Sequence, residues 1–188
     1  MSLLSYLAYG SNLHPLRLGE RVPSAELVGL VRLVGYRVAF HKRGRDGSAK
    51  CDLVRMASPG DLAYGAVYRM VAAHKVLLDR CEGLGRGYTT VALEVPGPDG
   101  PLHCFTYVAQ DGYRDPSLRP FDWYRALVLL GGRRLGMPDD YLAGIAGLPD
   151  VRDPDEERRS LHEALIEKIR RADAWDVTDW ATARRRPI

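Results

Sequence analysis

Tyr6-Leu7-Ala8-Tyr9-Gly10-Ser11-Asn12-Leu13 (YLAYGSNL) is the stretch from which the rest of the chain is read. Leu4, Tyr6 and Ala8 alternate with Ser5, Leu7 and Tyr9, the period of a strand with one face in a core. Gly10 breaks that period. Ser11 and Asn12 are residue types that cap helices, and Pro15 suits the first turn of a short helix to about Arg21. A strand that ends in glycine and turns straight into a helix start leaves several backbone N–H groups aimed at one spot. Such a spot favours negative charge, either a carboxylate or an oxyanion formed during a reaction. Asn12 is the only asparagine in the chain, so its place here does not follow from rich asparagine usage.

Outward from this stretch, strand patterns recur. Ala25 to Val34, Tyr36 to His41, Asp52 to Met56, Leu62 to Met70, Tyr88 to Val95 and Leu102 to Ala109 read as strands, and the last two form a hairpin across PGPDGP. KRGRDGSAK, Lys42 to Lys50, reads as a polar loop, and SPGD, Ser58 to Asp61, as a turn. Gly65, inside its strand, marks a bulge or a close backbone approach. Val71 to about Glu82 changes to helical spacing through Ala73, Leu77, Leu78 and Cys81, and Gly83 ends it. Many strands with one helix among them predict a curled, mostly antiparallel sheet of α+β class rather than a doubly wound fold. The last third is helical. One helix follows Pro120 and is ended or kinked by Gly131 and Gly132; a second runs from Asp139, its cap, to Ala146. A third follows an Asp153/Glu156 capping box to about Ala172, with Leu161, Leu165 and Ile169 as its buried stripe. The tail, with Trp175 and Trp180, docks by its tryptophans or frays. One domain is expected, with a core of about residues 4–146 and a helical extension over 147–188.

Composition narrows the function. The chain is 46% hydrophobic and 27% charged over 188 residues, enough for one sizeable core. Its net charge of +3 comes from 23 arginines and 4 lysines against 24 acids, far from the excess of a dedicated nucleic-acid binder. Three scattered cysteines, Cys51, Cys81 and Cys104, argue against a disulfide framework or a zinc site and for reduced thiols in a cytoplasm. The opening MSLLSYLAYG lacks the basic start of a secretory leader, and no run reaches membrane-helix length. No nucleic acid, membrane or metal is expected.

Glu82 is the acid that stands out, at a helix C-terminus before a glycine-rich turn. The helix dipole disfavours a carboxylate there, and an apolar neighbourhood would carry it toward the behaviour of a general base. Position alone leaves it open between that role and a solvated helix-end glutamate. GLGRG, Gly83 to Gly87, does not fit GxGxxG and opens no helix, so it reads as a tight turn. His14, His41, His74, His103 and His162 share no ligand spacing. Ser11 lacks the surroundings of a nucleophile and reads as a cap. Tyr124 on its helix is by composition more often a core residue than a ligand contact.

Taken in order, AYGSNL at a strand end, SPGD before GAVY, a helix ending in LDRCEG, GY opening a strand, the Tyr124 helix and LGMPDDYL resemble the γ-glutamylcyclotransferase family over roughly Tyr6 to Ile145. The resemblance implies a small closed or nearly closed β-barrel flanked by helices, with no metal or organic cofactor. It also implies conversion of a γ-glutamyl amino acid to 5-oxoproline and the free amino acid. By motif, Glu82 matches that family's catalytic glutamate. Tyr6, Leu7, Ala8, Tyr9, Gly10 and Ser11 match its substrate loop, with Asn12 beside them. Tyr124 is similar to its binding tyrosine and Tyr88 to a further tyrosine near the site, after an LGRG turn one residue short. Cys81 stands where glutamine is common, and the chain beyond Leu148 is longer than expected. The same architecture serves γ-glutamylamines and carrier-tethered γ-glutamyl groups, so the leaving group stays open, as does oligomeric state, a homodimer included. The rival from another class is a non-catalytic small-molecule or protein-binding module on the same barrel. An acid at Glu82 separates the two, because a module without chemistry has no need of it.

Overall fold

A computed structural model describes residues 1–58, 60–97 and 100–183, with side chains described as far as Ala174. Five strands form one sheet in the order β2 (Glu26–Val34), β5 (Leu62–Val71), β1 (Leu3–Ala8), β7 (Gly100–Ala109) and β6 (Tyr88–Gly97). Every pair is antiparallel except β1 with β7. β1 therefore lies at the centre, and Tyr6, Leu7 and Ala8 are all buried, not only alternate residues, because elements cover both faces there. The sheet curls until its two edge strands, β2 and β6, touch, which gives the curled half-barrel of an α+β fold.

β3 (Tyr36–Arg43) and β4 (Ala49–Arg55) make a separate hairpin that packs on β7 and β5. It is longer than the sequence suggested. The segment expected as a loop from Lys42 to Lys50 is strand at both ends, with Lys42 opposite Lys50 and Arg43 opposite Ala49. Ordinary β-propensity does not foresee buried lysines on a strand. Gly65 makes a close approach rather than a bulge: its register is continuous, and a Cβ there would lie 2.8 Å from Leu7 Cδ1 and 2.9 Å from the Ala8 carbonyl.

The helices close one side. α1 (Pro15–Arg21) is capped by His14, whose Nδ1 accepts from the Leu16 N–H at 3.2 Å; Ser11 and Asn12 do not cap it. α2 (Lys75–Glu82) follows a short 3₁₀ turn at Ala72–His74 and ends at Gly83 in the left-handed region, φ 71°. α3 (Asp122–Arg134) runs straight through Gly131 and Gly132, contrary to the expected break. Both glycines are buried, and a Cβ on Gly131 would sit 2.5 Å from Leu13 Cβ and 2.8 Å from the His14 backbone nitrogen. Close packing of α3 on the chain after β1 thus overrides glycine's low helix propensity.

α4 (Asp139–Ala146) begins after Pro138, so Asp139 is its first residue and not its cap. α5 (Glu156–Ala183) outruns the expected end at Ala172. Its first turn is capped by Asp155, which accepts from the Arg158 N–H at 2.9 Å. Asp153 instead is fully buried, accepting from the Trp123 indole at 2.8 Å and from the Arg158 guanidinium. Ile166 and Ile169 supply the buried stripe and Leu165 its margin, while Leu161 is 67% exposed. The expected docking of Trp175 and Trp180 lies outside the described side chains, and parts of SPGD and PGPDGP outside the described residues.

Candidate functional site

β1 delivers the chain to the mouth of the half-barrel, where Leu13 N–H returns to the Gly10 carbonyl at 3.0 Å. That bond closes a turn whose central residues, Ser11 and Asn12, do not spend their own N–H groups on it. Gly10 sits in a tightly packed spot. A Cβ on it would lie 3.1 Å from Cys51 Cβ and 3.3 Å from the Tyr124 hydroxyl.

Glu82, the last residue of α2, faces this turn. Asn12 Nδ2 donates to Glu82 Oε1 at 2.8 Å and to the Tyr6 hydroxyl at 3.1 Å. Arg21 Nη1 donates to the same Oε1 at 3.0 Å and to Asn12 Oδ1 at 2.9 Å. Strand β1, its turn, α1 and α2 are thus tied by one network, Tyr6–Asn12–Glu82–Arg21. Both of these bonds to Glu82 end on Oε1. The apolar surroundings expected for Glu82 are not there, because it is one half of an ion pair with Arg21. Arg21 was missed in the sequence. It is 61 residues from Glu82, though the Arg17/Arg21 spacing of four does put both arginines on one face of α1.

Two connected spaces meet at Glu82. The inner one, about 20 Å³, is lined by Tyr6, Tyr9, Gly10, Ser11, Asn12 and Glu82, and closed by Cys51, Tyr88, Tyr107 and Tyr124. Ser11, Glu82, Tyr88 and Tyr124 also line an outer vestibule of about 220 Å³ that continues over α1, the β3–β4 hairpin, α3 and His162 of α5. Of the residues singled out in the sequence, Glu82, Tyr6, Tyr9, Gly10, Ser11, Asn12, Tyr88 and Tyr124 therefore converge. Leu7 and Ala8 lie on neither lining. The Leu7 carbonyl accepts from the Thr106 hydroxyl at 2.7 Å, and both side chains are in the core.

The tyrosines hold the walls in place. Tyr124 Oη accepts from the Cys51 N–H at 3.0 Å, Tyr88 Oη donates to the Cys51 carbonyl at 2.5 Å, and Tyr9 Oη donates to the Tyr107 carbonyl. Tyr107 in turn donates to Asp79 Oδ1 at 2.6 Å. Burial holds the hydroxyls of Tyr6, Tyr9, Tyr88 and Tyr124 well above the usual phenol range, so they are neutral donors and acceptors. Burial likewise pushes the Cys51 thiol up to about 12, which removes it as a thiolate nucleophile. Glu82 is the carboxylate that lines both spaces. Among the described residues no group of three or more His, Cys, Asp or Glu side chains could hold a metal ion, and no helix is long and apolar enough to cross a membrane.

Comparison with known proteins bears on the fold. Residues 63–145 match the AIG2-like family. The γ-glutamylcyclotransferase of Mus musculus is 26% identical over 178 residues, covering 90% of this chain and 89% of that protein. That of Homo sapiens is 25% identical over 173 residues, covering 89% and 88%. A solved γ-glutamyl cyclotransferase superposes with a TM-score of 0.75 at 24% identity, covering 89% of this chain and 99% of that one. YkqA from Bacillus subtilis superposes at 0.66 with 18% identity over 80% of this chain and 57% of its own. The resemblance noted in the sequence thus extends over nine-tenths of the chain, and the fold is that of the γ-glutamylcyclotransferases.

Proposed function

We propose that this protein is a cyclotransferase-type enzyme that folds a γ-glutamyl amide onto itself, releasing 5-oxoproline and the amine. The observation that carries the reading is Glu82, held by Arg21 and Asn12 where the inner pocket opens into the vestibule, opposite the Ser11–Asn12 turn. A γ-glutamyl substrate already contains its nucleophile, the α-amine, and its electrophile, the γ-carbonyl. The protein needs only to bend it into a near-attack shape, which in well-oriented cases is worth about 7–11 kcal/mol.

At neutral pH the α-amine is an ammonium and cannot attack. Glu82 Oε2 takes a proton from it, and the freed nitrogen pair forms the C–N bond to the γ-carbon. The carbonyl pair moves onto oxygen. In this mechanism either that oxyanion or the substrate α-carboxylate lies on the N–H groups of Gly10, Ser11 and Asn12. Glu82 returns its proton to the departing nitrogen and takes the second proton from the ring nitrogen. The oxyanion then collapses, the bond to the departing amine breaks, and the freed amine picks up the remaining proton from Glu82. Tyr124, Tyr88 and Cys51 shape the wall against which the folded substrate rests. Neither an electron acceptor nor a second substrate is required.

The test is incubation with γ-glutamyl amino acids, γ-glutamylamines and a carrier-bound γ-glutamyl thioester or amide, scored for 5-oxoproline. Release from at least one class supports the reading. Silence across all of them would favour the non-catalytic binding module.

A further inference from the structure

Six basic and two acidic side chains line the vestibule, and the acids are already engaged. Glu82 holds Arg21 at 3.0 Å and Asp46 holds Lys50 at 2.7 Å. Arg17 and Lys42 remain, and among the described residues neither has an ion-pair partner. Each is only 4% exposed. The Arg17 Nε is buried with no hydrogen-bond partner. Lys42 Nζ stands 4.3 Å from the centroid of the Tyr88 ring, and Gly87, φ 122°, keeps the space beside it open, since a Cβ there would lie 2.8 Å from Nζ. Burial lowers both groups from their ordinary values, Arg17 to about 9. Two buried, unpaired cations on one cavity cost stability, a cost that an arriving anion offsets. Exposed Arg45 and Arg86 at the mouth add to the attraction.

The placement says which half of a substrate meets them. The inner pocket, about 20 Å³, admits only the tip of a glutamyl unit reaching for Glu82 and the Ser11–Asn12 turn, and its lining contains no lysine or arginine; Arg17 and Lys42 line only the vestibule. Arg17 and Lys42 therefore face whatever departs. They are also too deeply set for a nucleic-acid backbone to reach. We infer that the vestibule takes a leaving group with two negative charges, the α-carboxylate and side-chain carboxylate of an acidic amino acid, one opposite each of Arg17 and Lys42. The preferred substrate is then a γ-glutamyl derivative of glutamate or aspartate. This rests on the cyclotransferase reading for its glutamyl half.

The test compares kcat/KM for γ-glutamyl-glutamate and γ-glutamyl-aspartate with the glutamine and asparagine analogues, which match them in shape and lack one charge. The acidic members should be favoured by about tenfold or more, mainly through KM. Of Lys42→Met and Arg17→Met, checked for folding by circular dichroism, the one that removes the cation opposite the side-chain carboxylate should bring the ratio to within about threefold of unity, and the other should lower kcat/KM for acidic and amide substrates alike; a ratio unmoved in both folded variants would overturn the inference. The wild-type comparison decides even if a variant does not fold. Acidic and neutral substrates turned over equally would overturn the inference and leave the cyclotransferase reading standing. Absence of 5-oxoproline from every member would overturn the inference, and the cyclotransferase reading would fall with it only if γ-glutamylamines and carrier-bound γ-glutamyl groups were silent too.

Discussion

Replacing Arg21 by methionine tests whether the Glu82 network works as a unit. The side chain keeps its stem and loses two bonds, to Glu82 at 3.0 Å and to Asn12 at 2.9 Å. The Arg21 and Glu82 side chains are 25% and 18% exposed, between the surface pairs worth about 0–1 kcal/mol and the buried pairs whose disruption costs about 3–5 kcal/mol. With solvent screening allowed for, a loss of about 1–2 kcal/mol is expected, which in a chain of this size lowers Tm by roughly 2–8 °C. Activity should suffer more specifically. Without Arg21, Asn12 can leave Glu82, and the carboxylate is no longer fixed over the turn, so kcat should fall about 10–100-fold with KM changed by less than about threefold. Arg21→Lys keeps one charged donor and should recover part of kcat. Steady-state kinetics and differential scanning calorimetry measure both effects. Unchanged kcat in Arg21→Met, or Arg21→Lys no better than Arg21→Met, would refute the positioning role.

Three further outcomes follow from the packing. Gly131→Ala places a Cβ 2.5 Å from Leu13 Cβ and against the His14 backbone, so despite alanine's better helix propensity it should destabilise by about 1–3 kcal/mol in urea unfolding. A stabilised variant would show that α3 can move off this contact. Tyr124→Phe leaves the buried Cys51 N–H without its acceptor and should cost about 1–2 kcal/mol, visible in stability and in KM; unchanged values in both would make Tyr124 a packing residue only. His162 stacks on Trp123 with centroids 3.6 Å apart, and burial, reinforced by Arg17, Lys50 and Arg21, lowers it to about 4. It is neutral when folded, while the unfolded chain binds its proton near 6.5. Its contribution to stability is therefore complete above about pH 6.5 and declines as pH falls toward 4. An imidazole titration followed by NMR that centres near 6.5 would contradict this.

The strands were legible because their period was local. Tyr6 to Leu13, the β6–β7 hairpin and the glycine after Glu82 each carry their own signal, and the loop-then-acid order pointed to residues that the fold brings together around Glu82. Burial of polar groups was not legible. Lys42 and Lys50 look like loop residues, yet they extend β3 and β4 because their charged ends turn into the vestibule. Gly131 and Gly132 look like a helix end, yet α3 needs them to approach Leu13 and Leu142. Leu161 fits a helical stripe, but α5 rotates so that Ile166 and Ile169 bury instead. His14 takes the cap that Ser11 was expected to fill, because the turn at Gly10–Leu13 comes between them and α1. The Arg21–Glu82 pair spans 61 residues and leaves no trace in local spacing.

The most direct test of the account is single-turnover formation of 5-oxoproline by Glu82→Gln on the best γ-glutamyl substrate, beside the affinity of the same variant for that substrate. Glutamine can still accept from Arg21 but cannot carry a proton from the α-ammonium to the departing nitrogen. The rate should fall by about 10²–10⁴-fold with binding retained. A rate within tenfold of the wild type would take proton transfer away from Glu82 and, with it, the mechanism.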